Sequence, residues 1–263
     1  MSKHKVVDIL SKEECIDYVN VIDSLSNLWS KRTIADTHHY TLGTATYLDI
    51  EPYGEITQER INLIKKSNEM LKENFSTLYD KVLKYVEQEY GPAELVVDGP
   101  IPGIFIYGEP KPNEMVQELI EPARGRVSLH TDGQERCLEY IWSTYNDVQK
   151  ETLAFTLALE MPQNGAAFLL WDQPDLGFYS KKESASLYKT YDYTENPYNV
   201  KVFDENIINK IPEVIEHIPG KMLIQSGEQW HATGFSTKPY NTDRRITLQG
   251  FGVKCDGVWR LFF

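Results

Sequence analysis

Pro219-Gly220-Lys221-Met222-Leu223-Ile224-Gln225-Ser226-Gly227-Glu228-Gln229-Trp230-His231 decides how the rest of the chain is read. Pro-Gly is a turn, Lys221 to Gln225 an apolar strand, Ser226 to Gln229 a polar turn, and His231 opens the next strand. A histidine in that setting is either a ligand or an ordinary hydrogen-bonded residue, and its surroundings must decide. Outward from it, residues 103–107, 126–130, 153–161, 166–171, 245–251 and 258–263 are also short, apolar or β-branched, and bounded by turn residues. Many short strands of this kind build a sandwich or a barrel.

The first third of the chain has a different period. Ser11-Lys12-Glu13-Glu14 is a capping box, followed at helical spacing by Cys15, Tyr18, Val19, Ile22 and Leu25. Ile61, Ile64, Leu71, Phe75, Leu78, Val82 and Val86 mark a longer amphipathic helix that Gly91-Pro92 stops. Between them, residues 40–48 read as a strand. The expected fold class is α+β: a β-sandwich or barrel with the N-terminal helices packed on one face. With 263 residues and no linker or repeat, a single domain is expected, helical over 1–99 and strand-rich over 100–263. Residues 172–217 show no clean period and carry five tyrosines, which suits either a lid over substrate or a packed insertion.

Composition narrows the function. Lys and Arg total 27 against 39 Asp and Glu, a net charge of −12 that disfavours nucleic acid or an anionic membrane as partner. No apolar run approaches the roughly 20 residues of a membrane helix, and the N-terminus lacks a secretory pattern. The cysteines, Cys15, Cys137 and Cys255, are odd in number and far apart, which suits free thiols in a reducing, cytoplasmic setting.

The chemistry concentrates in two clusters. His130-Thr131-Asp132 follows the strand at 126–130, and alternation lets His130 and Asp132 share a face. With His231 they make two histidines and one carboxylate, a set that holds Fe(II) with open positions and that a zinc hydrolase also uses. Fourteen residues after His231 comes Arg245-Ile246-Thr247 at the start of a strand. A guanidinium with a hydroxyl two residues on, on the same face, suits the carboxylate of a small molecule. Arg244 would point the other way, toward solvent or a surface partner. Tyr40, Tyr47, Tyr107, Trp142, Trp171 and Trp230 are candidates for a pocket lining, with core packing the commoner fate of such residues.

His130-x-Asp132, His231 and Arg245-x-Thr247, with the Pro-Gly-Lys-Met-Leu-Ile run before the second histidine, resemble the 2-oxoglutarate/Fe(II)-dependent oxygenase superfamily. Asn164-Gly165-Ala166-Ala167-Phe168-Leu169-Leu170-Trp171 resembles the strand in which that family often carries Gly-Gly-x-Leu, with Gly165-Ala166 at the Gly-Gly position. The resemblance covers roughly residues 100–255. It implies a double-stranded β-helix, or jelly-roll, core over 100–263. It implies Fe(II) held by His130, Asp132 and His231, and 2-oxoglutarate whose far carboxylate pairs with Arg245, supplemented by Thr247 or Tyr107. The implied reaction consumes O2 and 2-oxoglutarate, releases succinate and CO2, and hydroxylates an unactivated carbon of a small molecule such as an amino acid, peptide or natural-product intermediate. Two rivals remain: a cupin-type metal enzyme without 2-oxoglutarate, which has no need of Arg245-x-Thr247, and a non-catalytic ligand-binding β-sandwich.

Overall fold

The computed structural model describes residues 4–34, 37–44, 57–107, 127–128, 145, 147–162, 167–170, 200–201, 213–227, 229, 231–233 and 244–263. In chain order these form β1 (His4–Asp8), α1 (Lys12–Ser24), β2 (Ser30–Ile34), β3 (Thr37–Leu42), α2 (Gln58–Tyr90), β4 (Ala93–Leu95) and β5 (Gly103–Tyr107). There follow β6 (Val127–Ser128), β7 (Val148–Glu160), β8 (Phe168–Leu170), β9 (Val200–Lys201), β10 (Glu213–Ile215), β11 (Lys221–Ser226), β12 (His231–Thr233), β13 (Arg245–Cys255) and β14 (Val258–Phe262).

The capping box closes as the sequence predicts. Glu14 N donates to Ser11 Oγ at 3.2 Å, and Ser11 N donates to the Glu14 carboxylate at 2.9 Å. The longer helix is capped by Thr57, kinks at Phe75, and ends at Gly91 with φ 104°. Its buried face also secures the approach to β5. Asn68 donates to Gly99 O at 2.8 Å and accepts from Ile101 N at 3.2 Å, while Tyr79 donates to Pro102 O at 2.6 Å.

A largely antiparallel main sheet runs β1-β11-β7-β13-β5-β3-β2, with β14 joined to β13 and β4 joined to β14 in parallel. A smaller antiparallel sheet runs β10-β8-β12, and β6 pairs with β9. The Cα atoms of β6 and β12 come within 8 Å of each other. Two sheets built from strands that alternate between them are consistent with a jelly-roll-like core.

Alternation gives the main sheet two unlike faces. Leu42, Ile104, Ile106, Phe155, Leu157, Met222, Ile224, Ile246 and Leu248 bury one face in the same apolar cluster as Ile22, Leu71, Phe75 and Leu78 of the helices. Tyr40 joins this cluster and packs its ring 5.6 Å from Trp29, so it belongs to the core rather than to a pocket. The other face carries His39, Thr41, Phe105, Tyr107, Arg245, Thr247 and Gln225, and it turns toward the smaller sheet through the cluster of Leu223 with Phe168 and Leu170. The β7–β13 ladder slips once near the start of β13: Thr247 pairs with Ala158 and Ile246 with Glu160, so Leu159 is an extra residue in β7.

Gly220 sets where β11 begins. Its φ is 89°, and a Cβ there would lie 2.3 Å from Leu10 O. Its own N–H donates to Ala158 O at 2.8 Å, and its carbonyl accepts from Ile9 and Leu10. Cys15 and Cys255 are buried free thiols, both pushed up to about 11 by burial. Among the described residues, no helix is long and apolar enough to cross a membrane. Of the irregular segment at 172–217, residues 172–199 and 202–212 lie outside the described residues, whereas Glu213–Ile215 form a strand of the smaller sheet.

Candidate functional site

The turn after β11 carries the chain from the main sheet to the smaller one. Gly227 N donates to Thr152 O at 3.2 Å and Gln229 N donates to Ser226 O at 3.0 Å. His231 emerges from this turn as the first residue of β12 and is buried. Its Nδ1 lies 2.8 Å from the Gln229 carbonyl, an acceptor only, so Nδ1 presents a proton to it. Gln225, arriving from the main sheet, has its amide 3.2 Å from the same Nδ1. The Phe168 ring stacks on His231 at 4.8 Å and 16°. An imidazole held through Nδ1 by a backbone carbonyl has the orientation that metal-binding histidines use. His130 and Asp132 lie outside the described residues; His130 is two positions beyond β6 in the sequence, and β6 runs beside the strand that His231 opens.

Arg245 and Thr247 share the inner face of β13, directly across from Tyr107 and Phe105 of β5. Arg245 is 8% exposed, and among the described residues no carboxylate pairs with it. Its Nε is buried without an acceptor among the described residues. The guanidinium lies 5.5 Å from the centroid of the Tyr107 ring. Burial pulls Arg245 below its usual range, partly offset by Tyr107, and burial likewise raises the Tyr107 phenol. Thr247 is fully buried, and its Oγ1 accepts from Gln249 Nε2 at 3.0 Å, which leaves its own proton to donate elsewhere.

Arg244 takes the opposite direction, as alternation requires. It meets Asp23 of α1 through two hydrogen bonds of 2.7 and 3.0 Å and Glu160 of β7 through one of 2.6 Å. The neighbouring arginines therefore differ completely: one ties a helix to the sheet, and the other is a buried cation facing the interior.

Two histidines that sequence reasoning passed over also face this interior. His39 of β3 is 1% exposed and stacks on both Tyr107 (4.9 Å) and Phe105 (5.2 Å), with both ring nitrogens buried and unpartnered among the described residues. Burial and the nearby Arg32 push it down to about 4. His217 follows β10, stacks on Phe168 at 5.4 Å, and likewise has both nitrogens buried without partners among the described residues. Burial and Arg245 push it down to about 3. The only local cues were the alternation Thr37-His38-His39-Tyr40-Thr41 and a histidine just before Ile218-Pro219-Gly220. Tyr47, Trp142, Trp171 and Trp230 lie outside the described residues.

An imidazole anchored through Nδ1 by a backbone carbonyl, a buried guanidinium with no carboxylate partner among the described residues, and a walled polar interior together can hold a metal and a small anion. No protein-family model matches the sequence, and no curated protein matches it either. Among solved structures, the chain is similar to a novel N-substituted L-amino acid dioxygenase from Burkholderia ambifaria AMMD. It is 13% identical, with TM-score 0.57 over 99% of this chain and 86% of that one. The structure of a novel N-substituted L-amino acid dioxygenase from the same organism in complex with alpha-KG matches at 12% identity and TM-score 0.54 over the same shares. The chain has the fold of these dioxygenases.

Proposed function

We propose that the protein is a single-domain, non-haem Fe(II)- and 2-oxoglutarate-dependent oxygenase acting on a small molecule, in the superfamily its motifs resemble. The observation that carries this reading is Arg245, a buried guanidinium with no carboxylate partner among the described residues. A buried cation without a counter-ion is costly, and a fold retains one where a soluble anion completes it. The dioxygenase fold supports the reading, and one neighbour of that fold was solved with alpha-KG bound.

The described residues of the interior suit the implied groups. His130, Asp132 and His231 would hold Fe(II); the imidazole of His231 is anchored through Nδ1 by Gln229 O, the kind of anchor that metal-binding histidines use. Arg245 would bind the far carboxylate of 2-oxoglutarate, with the Thr247 hydroxyl as a second donor and the Tyr107 ring against the guanidinium. Phe168, Leu170 and Leu223 wall the interior and exclude water from it. When bound, Fe(II) with 2-oxoglutarate and O2 supplies the oxidising power to hydroxylate an unactivated carbon, with release of succinate and CO2. Asp132 as the carboxylate of the metal set favours hydroxylation over halogenation, which needs a small residue at that position. The substrate class is a small molecule, an amino acid, peptide or natural-product intermediate, in keeping with the amino-acid derivative for which the structural neighbour is named.

Anaerobic addition of Fe(II) and then 2-oxoglutarate should produce the visible metal-to-ligand charge-transfer band of the chelate. Metal binding with no band would favour a cupin-type enzyme that does not use 2-oxoglutarate. Absence of metal binding would favour a ligand-binding β-sandwich.

A further inference from the structure

We infer that His217 is a second anchor for the far carboxylate of the 2-oxo acid, donating a ring N–H to the carboxylate that Arg245 holds. This rests on the reading of Arg245 given above and adds to it a residue that no motif marks.

Three rings line the wall formed by the smaller sheet. Phe168 stacks on His231 on one side at 4.8 Å and on His217 on the other at 5.4 Å. The strand register sets their order. Thr233 and Ile215 both pair with Phe168, so His231 lies two residues to one side of that level and His217 two residues to the other. The two ring separations keep the imidazole centroids within about 10 Å of each other, so a dicarboxylate chelated beside His231 and lying along Phe168 extends its far end toward His217. Arg245 is close enough to His217 to disfavour its charged form.

The hydrogen-bonding inventory fits the same ligand. His217 has two buried ring nitrogens and Arg245 has a buried Nε, all without partners among the described residues. Unpartnered buried donors are rare in folded proteins because they forfeit their bonds to water. A carboxylate, which only accepts, satisfies the Arg245 Nε–H and one imidazole N–H at once. Burial and Arg245 keep His217 neutral, so it contributes a donor without setting a second positive charge beside the guanidinium. A phenylalanine would pack on Phe168 as well as the imidazole does, so packing alone gives no reason for a histidine here. His39, the other unpartnered imidazole among the described residues, sits on the main sheet against Tyr107 and is not part of this row.

The test compares two ligands on the anaerobic Fe(II) protein by calorimetry and by the chelate band. These are 2-oxoglutarate and pyruvate, which has the same chelating end and no far carboxylate. His217→Phe should weaken 2-oxoglutarate about tenfold or more and leave pyruvate within about twofold. His217→Gln, which restores an N–H donor, should recover most of the loss. Equal weakening of both ligands by His217→Phe, or no weakening of 2-oxoglutarate, overturns the inference. Arg245→Gln separates the two readings. If it weakens 2-oxoglutarate and His217→Phe does not, only the role of His217 falls. If Arg245→Gln also leaves 2-oxoglutarate binding intact, the anion-site reading falls with it.

Discussion

Arg244 and Arg245 are adjacent in the chain and belong to opposite faces of the main sheet, and their surroundings differ as the faces do. On the helix side, Arg244 meets the carboxylates of Asp23 and Glu160 among residues such as Ile22, Leu159 and Ile246 that are fully packed. On the interior side, Arg245, His39 and His217 are buried with polar atoms that nothing in the described chain satisfies. One face is complete as folded, and the other is complete only with a ligand. The comparison teaches that polarity alone does not mark a site. Arg244 is as polar as Arg245 and serves the fold, because its charge is answered by the chain itself.

The contrast is broken most directly by ligand binding. Arg245→Gln should raise the Kd for 2-oxoglutarate by about 100-fold or more, since it removes a buried charge-assisted partner worth several kcal/mol. Arg244→Ala should change that Kd less than about threefold. Equal effects in titrations of the anaerobic Fe(II) protein would erase the distinction between the faces. On stability the order reverses. Phe75→Ala, on the helix face, should cost about 3–5 kcal/mol in urea unfolding through cavity formation, with 2-oxoglutarate affinity kept in the folded fraction.

A pH experiment addresses the interior face alone. The folded state holds His39 down at about 4, below its ordinary 6.5. Between those values the unfolded chain binds a proton that the folded chain refuses, so stability falls as the pH drops from about 6.5 to about 4. Above that window the contribution is fully present. His39→Phe should flatten this part of the stability–pH curve by about 2–4 kcal/mol, which chemical unfolding of the two proteins at pH 7 and pH 4.5 would measure. A curve unchanged by the substitution would mean that His39 is solvated or paired in solution. The smallest effect is expected for Arg244→Ala on stability. It should cost about 1–3 kcal/mol, because both carboxylates it meets are partly open to water.

Much of the fold was legible because it is written in local pattern. Ser11 and Glu14 announce α1, the apolar spacing from Ile64 to Val86 announces α2, and the runs at Gly103, Lys221, Arg245 and Val258 begin strands in the structure. β12 opens at His231 as the turn before it predicts, whereas β10 is only three residues long, too short for a period to show, and β1, His-Lys-Val-Val-Asp, is an edge strand half open to solvent. In the candidate site, alternation alone separated Arg245 from Arg244. His39 and His217 could not be found that way. Their significance arises from pairings across the sheets, β3 on β5 and β10 on β8, which join residues far apart in sequence. Tyr40 shows the converse: one position from His39, it faces the helices.

The slip between β7 and β13 has a consequence best put as a change of reading frame. A regular ladder continuing from Thr247–Ala158 would pair Ile246 with Leu159 and Arg245 with Glu160, setting a carboxylate directly across from the guanidinium. The extra residue shifts the frame by one. Glu160 instead stands across from Ile246, and its charge is spent on Arg244 at the back of the sheet. The slip thus leaves an open socket where an unbroken ladder of the same sequence would form an internal ion pair.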